Sequence, residues 1–113
     1  MSVIYHLARE RDWQAAQAAG AYRGPRSHRG GGFLHFSTAG QVSDSAAIHC
    51  AGATDLVLLA VDAARLGDSL RWETSRDGQD FPHLYADLPL DAVLWAQPLP
   101  LDSSGVHRFP PLD

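Results

Sequence analysis

Three histidines stand in short segments rich in β-branched and aromatic residues. They are His6 in Val3-Ile4-Tyr5-His6-Leu7, His35 in Phe33-Leu34-His35-Phe36-Ser37, and His83 in Phe81-Pro82-His83-Leu84-Tyr85. Such composition predicts strands. Imidazole is the side chain whose ordinary pKa lies near neutrality, so each of the three could give or take a proton or ligate a metal. Residues two apart on a strand share a face. His35 therefore shares one with Phe33 and Ser37, while Leu34 and Phe36 turn to the core. His83 shares a face with Phe81 and Tyr85, and His6 with Ile4. Glu73 is one of two glutamates and follows Trp72 on another predicted strand. A strand carboxylate can do acid–base work, or can simply face solvent. His83, Glu73 and His35 are the candidate catalytic groups on this reading.

Other chemistries find less support. Three neutral imidazoles can hold zinc, but the chain has no H-x-x-x-H helix, and no metal is expected. The G-x-S-x-G elbow of serine hydrolases is absent. His35-Phe36-Ser37 gives one His-x-Ser motif where a two-motif phosphodiesterase needs two. Cys50 is the only cysteine, so no internal disulfide and no thiolate zinc site can form, and its expected role is that of a small buried hydrophobe. Its neighbour His49 would not face it on a helix. All nine basic residues are arginine, which removes Schiff-base chemistry and a phosphate-loop lysine. His28, His49 and His107 fall in loop, helix and tail, where a structural or solvated role is expected. One segment suits an anion. Arg26 and Arg29 stand in a Gly-rich loop leading into the His35 strand, and Thr38-Ala39-Gly40-Gln41 matches a capping box. A helix N-terminus with Ser37, Thr38 and an arginine would fit a phosphate or carboxylate, although many capped helices bind nothing.

The elements that must position these groups follow from patterning. A helix is expected from about Arg9 to Ala19, stopped by Gly20. A second runs from Thr38 to Cys50 or Ala51. Asp55–Val61 is a near-continuous apolar run, expected as a central strand buried on both faces. Asp62 caps a short turn, Leu70–Thr74 alternates as a strand, and Asp77-Gly78 marks a turn. Pro82 places the strand Phe81–Tyr85 at an edge. Asp91–Gln97 is a last strand. From Pro98 the chain reads as an extended or loose Pro-rich tail. The pattern is α+β, with five or six strands and two main helices in a single domain over residues 1–113.

Charge is uneven. Residues 1–32 hold five arginines against Glu10 and Asp12, and the remainder holds four arginines against eleven acids, for a net −4. That balance argues against a protein that coats nucleic acid. No apolar run approaches the ~20 residues that cross a bilayer, and no basic segment precedes an apolar one at the start. A cytoplasmic location is expected; oligomeric state is not assigned.

Several unusual segments occur in one order: Ile4-Tyr5-His6, Trp13, Gly20 and Tyr22; Gly32 to Ser37 with Gln41-Val42; Asp55 to Leu59; Trp72-Glu73, Gly78, Phe81 to Tyr85 and Leu90 to Val93. In these the chain resembles the bacterial family called domain of unknown function 952. The family's fold is distantly similar to that of ADP-ribosyltransferases, a split mixed or antiparallel β-sheet with an NAD-binding cleft. Tyr5-His6 resembles the first-strand motif of such enzymes, whose histidine contacts a ribose. His35-Phe36-Ser37 resembles a strand of RNA 2′-phosphotransferases. The resemblance implies NAD or another phosphorylated nucleotide as ligand, with His6 at a ribose hydroxyl and His35, Ser37 and Thr38 around the ligand. Arg26 or Arg29 would meet a phosphate, and His83 or Glu73 would act near the reacting carbon. Leu7-Ala8 replaces the usual Gly-Thr or Gly-Ser, and no E-x-E or Q-x-E pair occurs. The fold carries over better than ADP-ribosyl or 2′-phosphate transfer. The alternative is a non-catalytic ligand-binding or accessory domain that has lost the catalytic glutamate, and a further one is a fold in which the histidines merely pack.

Overall fold

The computed structural model describes residues 2–24 and 32–112. Strand β1 (Val3–Arg9) leads directly into helix α1 (Glu10–Ala19), whose first turn carries Glu10 and Asp12 at the positive end of its dipole. Gly20 ends the helix in the left-handed region (φ 88) and donates its N–H to the Ala16 carbonyl, a conformation that costs a glycine little. Strands β2 (Ala21–Tyr22) and β3 (Leu34–His35) follow, then helix α2 (Val42–His49) and β4 (Leu56–Asp62). A 3-10 turn over Ala63–Ser69, whose Ala64 N–H donates to the Asp62 carboxylate, leads to β5 (Leu70–Thr74). The chain closes with β6 (Asp80–Leu84), β7 (Leu88–Pro89), a 3-10 turn at Leu90–Ala92 and β8 (Val93–Pro98). The α+β class holds.

The apolar run of β4 forms the middle of a sheet ordered β1-β4-β8, and its residues 56–61 are all buried. Its side chains divide by parity. Val57, Leu59 and Val61 join Ile4, Ala8, Tyr22, Leu34 and Phe36 on one side. Leu56, Leu58 and Ala60 join Tyr5, Val42 and Leu99 on the other. A second sheet is ordered β3-β6-β5, and β2 pairs with β7. The two larger sheets meet at one antiparallel bridge, where Tyr5 and Ser37 exchange N–H···O bonds of 2.8 Å. The sheet is thus split. Every strand pairing among the described residues is antiparallel, so the mixed alternative does not apply.

Several expectations are corrected. The strand expected over 33–37 makes a ladder only at Leu34 and His35. The strand carrying Pro82 is the centre of its sheet and not an edge. One fact explains both. Pro82 offers its carbonyl to the Phe36 N–H at 2.9 Å but has no N–H to return, so the ladder stops there while β5 covers the other side. Helix α2 begins at Val42 and not at Thr38. The Gln41 side chain accepts the Thr38 N–H at 3.0 Å, half of the capping box, one turn ahead of the helix. The last strand starts at Val93, after a 3-10 turn. The short pair of β2 and β7 had no sequence signal. The tail is not loose. Leu99 is buried, Leu101 and His107 form a bridge, and Asp102 closes the intervening turn by accepting the Ser104 and Val106 N–H groups. Among the described residues no helix is long and apolar enough to cross a membrane.

Candidate functional site

The split between the two sheets opens a cleft of about 520 Å³. His6 from β1, His35 from β3 and His83 from β6 all line it, together with Ser37, Ser45 and His49. Leu7, Phe36 and Phe81 supply its apolar surface. The three strand histidines therefore border one space.

The hairpin of β5 and β6 brings Phe81 and His83 to this wall and supports His83 with residues outside the lining. Its register sets Arg71 opposite His83 and Glu73 opposite Phe81. Glu73 lies on the diagonal from His83, within reach on the same face. The buried His83 donates Nδ1–H to Glu73 Oε1 at 2.8 Å, and the Tyr85 hydroxyl donates to the same oxygen at 2.6 Å. These two bonds, that from Tyr85 first, hold the Glu73 carboxyl below its usual range. The shared bond pushes the Tyr85 phenol up. A His83 ring that carries its single proton on Nδ1 keeps a lone pair on Nε2. Phe33 stacks on His83 at 4.3 Å between centroids, and the Arg71 guanidinium lies 5.2 Å from the Tyr85 ring centre. His35 is the cross-strand partner of His83 and meets it edge-on at 5.3 Å. The residue is exposed as a whole, yet partial burial, then His83 and His49, lowers its pKa. His35 is therefore neutral at neutral pH.

His6 is held differently. Its Nδ1–H donates to the His35 carbonyl at 2.5 Å, and its Nε2 accepts the Tyr22 hydroxyl at 3.0 Å. Both ring nitrogens are engaged inside the protein. Burial lowers its pKa to about 4, against a weaker opposing effect of the bond to His35. Burial also raises the Tyr22 phenol. His6 is thus a neutral buried strut that ties β1 to the backbone of β3.

The remaining expected site residues separate. Ser37 lines the cleft, and its Oγ lies 2.9 Å from Ser45 Oγ. Thr38 is not part of the lining; its amide is occupied by Gln41. Beside the start of α2 lies a cavity of about 150 Å³ bordered by Asp44 and Asp77, two carboxylates that oppose an anion there. Arg26, Arg29 and His28 lie outside the described residues. Cys50 lines the cleft with its thiol pKa raised by burial. His107 is structural, with Nε2–H donated to the Ala53 carbonyl at 2.7 Å. Among the described residues no His, Cys, Asp and Glu cluster could hold a metal ion. Sequence reasoning gave no site role to Tyr22, Phe33, Ser45, Arg71 or Tyr85. One signal was present. Centring the hairpin on Asp77 and counting outward pairs Glu73 with Phe81 and Arg71 with His83.

Comparison with known proteins agrees with the fold. A family model described as "Protein of unknown function (DUF952)" matches residues 7–96. The crystal structure of protein CC0527 from Caulobacter crescentus is similar with a TM-score of 0.88 and 40% identity, covering 95% of this chain and 94% of that one. The solution NMR structure of CC0527 gives 0.81 and 42% identity over 94% and 91%. No curated protein matches the chain.

Proposed function

The chain belongs to the DUF952 family, and on that premise we propose that it binds a small nucleotide-like ligand in the histidine-lined cleft, with NAD as the first candidate. The observation that carries this reading is the convergence of His6, His35 and His83 on one space that also holds serine hydroxyls and apolar walls. Clefts of this size, mostly apolar with a few placed polar groups, are the common form of a small-molecule site. The split sheet agrees with the distant resemblance to ADP-ribosyltransferases, which is part of the proposal. His35, His83 and Ser37 touch the ligand. His6 supports His35 from behind and does not reach a ribose itself. The chain works in the cytoplasm, where a lone Cys50 stays reduced.

Titrating the ¹⁵N-labelled chain with NAD tests this. Shifts are expected at Ser37, His35 and His83, and a spectrum unmoved at saturating NAD overturns the reading. A second reading, a binding module without turnover, is favoured by the internal engagement of both His6 nitrogens. Nicotinamide released above the buffer background speaks for an enzyme, and binding without release for the module.

A further inference from the structure

The bond from Glu73, outside the cleft lining, to His83, within it, bears on chemistry as well as binding, given the reading of the cleft as a ligand site. We propose that His83 is a general base for hydrolysis, acting on the carbonyl carbon of a carboxylic ester in the same cleft, a group that NAD itself lacks. Glu73 orients the ring through Nδ1–H, which leaves Nε2 as the proton acceptor, and the carboxylate stabilises the imidazolium that forms. Tyr85 donates to the same carboxylate oxygen and so holds Glu73, while Phe33 stacks on the His83 ring. The same ring borders the cleft. Two neighbouring groups are poorly placed as nucleophiles. Burial pushes the Cys50 thiol up and away from thiolate, and Ser37 Oγ pairs with Ser45 Oγ and not with an imidazole. In the proposed step water is the nucleophile, and the search for an acetyl group below tests that choice. Its oxygen bonds to the carbonyl carbon while its proton passes to His83 Nε2. The bond from that carbon to the leaving oxygen breaks, and the leaving group departs with the electron pair. The proton on His83 then passes to solvent, restoring the neutral ring.

p-Nitrophenyl acetate is the minimal probe, because nitrophenolate leaves without needing a proton. The wild-type chain is expected to release it faster than free imidazole at six times the protein concentration, which matches the six histidines of the chain. The rate should fall in deuterium oxide, and no acetyl group should appear on the protein by mass spectrometry. His83→Gln should lower the rate by at least about tenfold. Glu73→Gln, at a half-exposed position, should lower it as well with an otherwise unchanged amide spectrum. A wild-type rate no greater than that of free imidazole, a full rate in His83→Gln, or an accumulating acetyl-protein each overturns the proposal. If His83→Gln does not fold, an unchanged rate in folded Glu73→Gln does so. Failure of NAD to bind while the esterase activity stands removes the nucleotide reading alone.

Discussion

Glu73 shows how one carboxylate oxygen can hold two neighbouring side chains. By accepting from both His83 and Tyr85 it fixes the tautomer of the first and the rotamer of the second. His6 does comparable work in a dry setting, and there the energetic consequence can be stated. Its folded pKa of about 4 lies below the ordinary 6.5. The unfolded chain thus binds a proton that the folded one refuses between those values. Stability from a neutral buried His6 is complete above pH 6.5 and is lost as pH falls towards 4, amounting to about 3 kcal/mol. Urea denaturation across that window should show the decline, and His6→Gln should flatten it. An equal slope in the variant would assign the acid sensitivity to other groups. The face shared by His35 and Phe33, and the core positions of Leu34 and Phe36, were legible from strand parity alone. The partners of His6 were not, because Tyr22 comes from a two-residue strand with no periodicity to reveal it.

At the scale of elements, the sequence announced β4 through its apolar run and the β5–β6 hairpin through Asp77-Gly78. It misplaced β6 because the proline rule concerns one side of a strand at one residue. Pro82 turns its missing donor towards the end of a two-residue neighbour, where no ladder remains to be broken. The partnership of Glu73 and His83 was recoverable once the hairpin was centred, since register follows from the turn. A further constraint sits just beyond β2. Gly24 has φ 50, and a Cβ there would lie 2.4 Å from the Tyr22 ring. That ring is fully buried, so it can move only by disturbing its packing. Gly24→Ala is expected to displace Tyr22, loosen its bond to His6 and lower stability by at least about 1 kcal/mol. A thermal melt would register the loss, and a lost Tyr22–His6 bond should raise the His6 pKa in an NMR titration. A melt and titration unchanged from wild type would mean that the ring has room to move.

For the whole molecule, β4 separates two cores, and the stretch after β8 belongs to one of them. Leu99 is 1% exposed and packs with Tyr5, Val42 and Leu58. Leu99→Ala should therefore cost roughly 2–5 kcal/mol, as for a buried leucine in a structured core, where a loose tail would give almost no change in a denaturant titration. Proline content suggested looseness because composition registers the absence of regular structure and not the presence of packing. The joint between the two sheets has a wider consequence. Among the described residues, the mutual bonds of Tyr5 and Ser37, with the His6 strut beside them, cross it next to the cleft. Those two amides act as a strain gauge for the cavity. If a bound molecule wedges the halves apart, their deuterium uptake should quicken; if it clamps them together, uptake should slow. Measured with and without NAD, the exchange rates of two backbone protons would report the mechanical state of the whole domain.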